Sequence, residues 1–186
     1  MSDLDMTLTW HYVEKWARAK PGAEALIFEA ERLTWADFQV RMDRIAKAFL
    51  ALGIQPGDRV AMLSAARNEF LTTYMAAGKV GAVWLGLNPK FTLDELRYQI
   101  GDAKPAVLIT LRHFLGNDLA GAIRALTGEF PFIRKVLVIG EALEGTENFG
   151  EFTGQPRESL DPALRDRASN VRDTDRALLM YTSGST

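Results

Sequence analysis

From Phe38 onward the apolar residues Phe38, Met42, Ile45, Phe49 and Leu52 recur at steps of 4, 3, 4 and 3. This spacing predicts one buried face of a helix. Thr34 stands where an N-cap is needed, and Asp37 three residues later makes a capping box with the shorter acid in place of glutamate. Gly53 suits the position just past the helix end, where a left-handed backbone is common. Upstream, Trp10, Val13, Trp16 and Ala17 sit at helical spacing and stop before Pro21. Residues 25–28 and 32–34 read as a hairpin around Glu29, Ala30 and Glu31.

Downstream of Gly53 the period switches back and forth. Pro56, Gly57 and Asp58 form a turn signal, and residues 59–64 read as a strand. Asn68 is placed to cap a helix carrying Phe70, Leu71, Tyr74 and Met75. Residues 83–87 read as a strand ended by Asn88 and Pro89. Thr92 and Glu95 make a full capping box for a helix with Leu93, Leu96 and Ile100. A strand over 106–110, a helix through Leu115, Leu119, Ile123 and Leu126, and a strand over 136–139 complete the series. This alternation predicts an α/β fold with a mainly parallel sheet of at least four strands, flanked by helices through right-handed crossovers. Residues 140–175, rich in glycine, proline and charge, read as a long surface connection with room for one helical turn. Residues 177–182 resume as a buried strand.

Composition narrows the function classes. The 186 residues are 47% hydrophobic, enough for a sizeable core. A net charge of −2 gives no reason to expect nucleic acid or an anionic membrane as partner. With no cysteine, disulfides and thiolate chemistry are excluded. Met1 to Asp5 lacks the basic region and apolar run of a signal peptide, and no apolar run reaches about 18 residues. The default compartment is the cytoplasm. His11 and His113 have no recognisable ligand partners. Asp94 and Glu95 fit the positive end of a helix better than a catalytic pair. The alternating charges of residues 157–176 read as a solvated face.

The stretch LLMYTSGST, residues 178–186, carries the candidate chemistry. Thr182, Ser183, Gly184, Ser185 and Thr186 form a small hydroxyl-rich loop directly after an apolar strand. Glycine lets a backbone approach a ligand closely, and backbone N–H groups and hydroxyls donate to phosphate oxygens. Neither G-x-x-x-x-G-K-[ST] nor G-x-G-x-x-G is present. On residue types alone the stretch fits an ordinary Ser/Gly turn as well. Ser183 lacks the G-x-S-x-G setting of a hydrolase nucleophile.

YTSGST resembles the first half of the phosphate-loop signature of AMP-forming adenylating enzymes, the superfamily of acyl-CoA synthetases, luciferases and peptide-synthetase adenylation domains. ERLTWADF, GIQPGDRVAML, AAGKVGAVWLGLNPKFTLDELRYQI, AVLIT and KVLVIG are similar to successive segments of that superfamily, in its order. Trp35 stands where tyrosine is commoner. LNP followed by TLDELRYQI is more similar to acyl-CoA synthetases than to peptide-synthetase domains, which tend towards Asp-Pro.

The resemblance implies a two-step reaction. A carboxylic acid, typically fatty, attacks the α-phosphate of ATP, and coenzyme A then displaces AMP to give a thioester. ATP, Mg2+ and CoA are the implied cofactors, and Thr182 to Thr186 match the loop positions that meet ATP phosphates. No catalytic or metal-ligating residue carries over. The loop lysine, the magnesium-associated glutamate and the ribose aspartate have no counterpart in residues 1–186. The resemblance therefore implies a partial N-terminal domain, truncated inside the phosphate loop and inactive alone. The alternative is a stand-alone binding module of the same partial fold without catalysis.

Overall fold

The computed structural model describes residues 7–182. Its elements in chain order are α1 (Thr9–Ala19), the hairpin β1 (Glu24–Phe28) and β2 (Glu31–Thr34), α2 (Trp35–Ala51), β3 (Arg59–Leu63), α3 (Asn68–Lys79), β4 (Val83–Leu87), α4 (Leu93–Ala103) and β5 (Val107–Leu111). A small hairpin follows, β6 (His113–Phe114) with β7 (Asn117–Asp118). Then come α5 (Ala120–Glu129), β8 (Lys135–Ile139), β9 (Glu147–Asn148), α6 (Phe149–Gly154), a 3-10 turn at Glu158–Leu160, α7 (Asp161–Asn170) and β10 (Leu178–Leu179).

Six strands form one sheet in the order β10-β4-β3-β5-β8-β9, and every neighbouring pair is parallel. From β3 the chain steps to β4 through α3, then crosses back past β3 to β5 through α4. The reversal of direction goes with a change of face, as crossovers of one hand require. Val60, Met62, Trp84, Val107, Ile109 and Leu137 join the core under α1, α2 and α3. Ala61, Leu63, Leu85, Leu108 and Val138 join the second core under α4 and α5. A period of two along each strand thus feeds two layers.

The caps explain the helix limits. At the start of α2 the Asp37 backbone N–H donates to the Thr34 hydroxyl and the Thr34 N–H to the Asp37 carboxylate, so the shorter acid completes the box. At its end Gly53 takes φ +70°, and the Gly53 and Ile54 N–H groups donate to the Leu50 and Phe49 carbonyls. Those two bonds form a Schellman closure that only a residue tolerant of positive φ completes without strain. Phe38, Ile45 and Phe49 are buried as the spacing predicts, whereas Leu52 is half-buried because it is already the cap.

Four expectations need correction. Asn68 is the first helical residue of α3, not its cap, and its side chain donates to Glu31. Leu115 lies in the turn of the β6–β7 hairpin at φ +48° and is exposed, so the helix begins only at Ala120, after the Asp118 carboxylate accepts the Ala120 N–H. Residues 140–175 hold β9, α6 and α7. Leu164 and the Lys47–Asp161 and Arg167–Ile54 carbonyl contacts pin α7 to the α2 side. Finally, the strand expected over 177–182 pairs only at Leu178–Leu179 and is not buried. It lies at a sheet edge, where β4 alone covers it.

A buried cluster fastens α1. Lys79, at the last turn of α3, is 5% exposed and donates to Glu14 of α1 and Asp43 of α2, both at 2.7 Å. Burial pushes the Asp43 carboxyl up from its ordinary range, and the Lys79 ammonium opposes that shift. Among the described residues no helix is long and apolar enough to cross a membrane.

Candidate functional site

The carboxyl ends of β3, β4 and β10 lie side by side, and parallel α/β sheets bind ligands along such an edge. β10 adds to β4 in parallel register, Leu178 opposite Trp84 and Leu179 opposite Leu85. The Trp84 N–H donates to the Ala177 carbonyl at 3.0 Å. The chain then leaves the sheet through Met180 and Tyr181 into the candidate loop. Thr182 is exposed at this edge. Ser183, Gly184, Ser185 and Thr186 lie outside the described residues.

Tyr181 is the best-anchored residue at the loop entrance. Its hydroxyl donates to the Asp102 carboxylate at 2.5 Å, with the Gln99 carbonyl at 3.3 Å. Tyr98 meets its ring edge-on at 6.2 Å between centroids. Burial, followed by the hydrogen bond to Asp102 and that residue's charge, pushes the phenol well above its ordinary range. Reading the sequence singled out neither Asp102 nor the anchoring. One signal was available: Asp102 sits in the last turn of α4, where the helix dipole disfavours a carboxylate unless a partner compensates.

Beside the loop entrance lies an apolar groove of about 740 Å3, lined by Ser64, Phe70, Tyr74, Trp84, Asn88 and Met180 among others. Trp84 forms its floor by folding back over Gly86. A Cβ at position 86 would lie 2.7 Å from the indole ring, so only glycine leaves the space. Phe70 and Tyr74 meet Trp84 edge-on, at 4.6 and 5.6 Å between centroids. Phe70, Leu71 and Tyr74, read as part of the apolar face of α3, thus line a groove while also packing against the first core. The face of α3 turned to the core carries the smaller Thr72, Thr73, Ala76 and Ala77.

Among the described residues of the candidate loop, Thr182 offers a hydroxyl just past the edge strand of a parallel sheet. Among the described residues no group of three or more histidine or acidic side chains converges to hold a metal ion. The sequence model of the AMP-binding enzyme family matches residues 13–186. The chain belongs to the AMP-binding enzyme family. Its relatives there include the acyl-CoA ligase sidI of Aspergillus fumigatus, 29% identical over 88% of this chain and 29% of the relative. The probable non-canonical nonribosomal peptide synthetase CymA of Salinispora arenicola is 31% identical over 93% of this chain and 2% of its own length. The apo structure of Mycobacterium smegmatis MbtA superposes with a TM-score of 0.76 at 27% identity, over 96% of this chain and 32% of that one. The chain thus spans less than a third of each of these AMP-binding relatives. The MbtA superposition confirms the helix-flanked parallel sheet.

Proposed function

We propose that residues 1–186 form the part of an AMP-forming acid–thiol ligase that presents the phosphate loop, in an enzyme that activates a carboxylic acid with ATP and passes the acyl group to coenzyme A. The observation that carries this reading is the family match, which runs through residue 186, directly after the pairing of Leu178–Leu179 with β4 in a parallel sheet. An acyl-CoA ligase among the relatives supports thioester formation, as does the Asn88-Pro89 ending of β4. The apolar composition of the neighbouring groove favours a fatty or otherwise apolar acid. Compartment follows the sequence reading, a cytoplasmic enzyme.

The residues fit the role of phosphate donors and no more. Thr182, Ser183, Ser185 and Thr186 supply hydroxyls, and Gly184 admits close approach of the backbone. ATP bound there would supply the phosphoanhydride whose cleavage drives acyl transfer. In this segment the donors neutralise only part of the charge of a triphosphate, since no cationic side chain belongs to the loop and the described residues offer no Mg2+ cage. Ordering a loop costs roughly 1–2 kcal/mol per residue in backbone entropy, which the phosphate contacts must offset. ATP affinity of the 186-residue chain is therefore expected to be weaker than about 1 mM, where some 4 kcal/mol of binding free energy is in play.

Calorimetry with Mg·ATP, together with pyrophosphate release over a panel of carboxylic acids with CoA, tests this. The expected result is weak ATP binding that vanishes when the four loop hydroxyls are replaced by alanine, and no turnover. Binding that does not depend on the loop would overturn the assignment of Thr182 to Thr186. Micromolar affinity or turnover by these 186 residues would overturn the partial-site reading.

A further inference from the structure

We infer that Asp102 is a positioning residue for the phosphate loop, acting through the Tyr181 hydroxyl to hold the chain at the point where β10 gives way to residues 182–186. The inference rests on the reading of Thr182 to Thr186 as a phosphate loop, and its core can be tested without nucleotide.

The geometry is economical. β10 is short, with two paired residues and a single neighbour, so the sheet alone holds the loop entrance weakly. Side chains alternate across the sheet, and Leu179 and Tyr181 both turn towards α4, where they pack on the second core. Tyr181 then reaches the last turn of α4 and donates to Asp102 at 2.5 Å. This contact joins the loop entrance to a helix capped firmly at both ends. Thr92 and Glu95 close the start of α4 with a reciprocal box. At its end Arg59, on the first residue of β3, donates to the Ala103 and Lys104 carbonyls at 2.6 and 3.0 Å. The same guanidinium bonds offset the negative end of the helix and so make room for the Asp102 charge. Tyr98, one turn before Asp102, meets Tyr181 edge-on and limits its rotation. The route from the sheet through Arg59 and α4 to Tyr181 closes a ring of contacts around the loop entrance.

A role confined to general stability would spread over the molecule, while positioning of the loop entrance would be local and shared by the two partners. Amide exchange of the 186-residue chain without ATP distinguishes them. Tyr181→Phe keeps the ring and removes only the donor. It should raise exchange at residues 179–182 by roughly tenfold, the worth of one hydrogen bond to a charged acceptor at a partly exposed site. Asp102→Ala should do the same, and the double variant should add little to either single change. Asp102→Asn, which keeps an acceptor oxygen, should recover part of the protection. Throughout, exchange in β3, β5 and α4 should stay unchanged.

Unaltered exchange at 179–182 in Tyr181→Phe would overturn the inference, and so would additive effects in the double variant. If Asp102→Ala loosens α4 itself, Tyr181→Phe decides alone. A Mg·ATP titration followed at the same amides separates the two readings. If ATP binds the parent chain and Tyr181→Phe weakens it roughly tenfold, clamp and phosphate loop stand together. If ATP leaves the parent amides unmoved while the exchange pattern holds, the phosphate-loop reading falls and the clamp survives as an anchor of β10.

Discussion

Thr92 and Glu95 show how much a pair of polar residues decides at short range. The Glu95 N–H donates to the Thr92 hydroxyl, and the Thr92 N–H donates to the Glu95 carboxylate at 2.7 Å. Thr92→Ala should cost about 1 kcal/mol at neutral pH, measured by urea unfolding. The Thr92 backbone N–H, and then its hydroxyl, hold the Glu95 carboxyl below the ordinary glutamate range. A depressed folded pKa adds stability above the unfolded value and forfeits it as pH falls through the folded value. The advantage of the parent over Thr92→Ala should therefore narrow in acid by the share that the Thr92 hydroxyl contributes, and a gap that stayed constant would show that the hydroxyl does not help hold the carboxylate. Thr92 and Glu95 are three residues apart, which is why the pair is legible in the sequence. Lys79 with Glu14 and Asp43, or Tyr181 with Asp102, are not, because their separations of 65, 36 and 79 residues leave no local trace.

At the scale of the element, α2 follows its sequence pattern and α3 departs from it. Phe38, Met42, Ile45 and Phe49 of α2 are all 3% exposed or less. Phe49→Ala should cost about 3–5 kcal/mol by chemical denaturation, and a loss below about 1 kcal/mol would mean that the site collapses around the void. In α3 the large residues Phe70, Leu71, Tyr74 and Met75 pack at the margin of the core and are only half-buried, while the fully buried positions carry small side chains. Thr72, Ala76 and Ala77 face inward because α1 and α2 both pack closely on this helix, and small side chains permit that approach. Gly78 meets the Trp10 ring at 3.7 Å from where a Cβ would stand. Periodicity reports which side of a helix is apolar. It cannot report whether that side meets the core or a groove at the sheet edge.

For the molecule as a whole, the strand order fixes a gradient of stability. β3 and β5 each have two parallel neighbours and lie between both cores, whereas β10 has one neighbour and two paired residues. Amide exchange should accordingly be slowest in β3 and β5, near the global unfolding limit, and fastest in the two-residue edge strands β9 and β10. Protection in β10 equal to that in β3 would contradict this ranking. The candidate loop thus follows one of the two short edge strands of the sheet.

The sequence by itself determined the alternation of strands and helices, the capping boxes and the Gly53 closure, because each depends on residues within a few positions of one another. Spacing and backbone preference are enough for those. Only the tertiary structure decided the order β10-β4-β3-β5-β8-β9, the inward face of α3, the helices α6 and α7 in a stretch that reads as surface loop, and the anchoring of Tyr181 on Asp102. These depend on which apolar surfaces meet across the sheet. That is set by the combined burial of distant segments, and no local pattern encodes it.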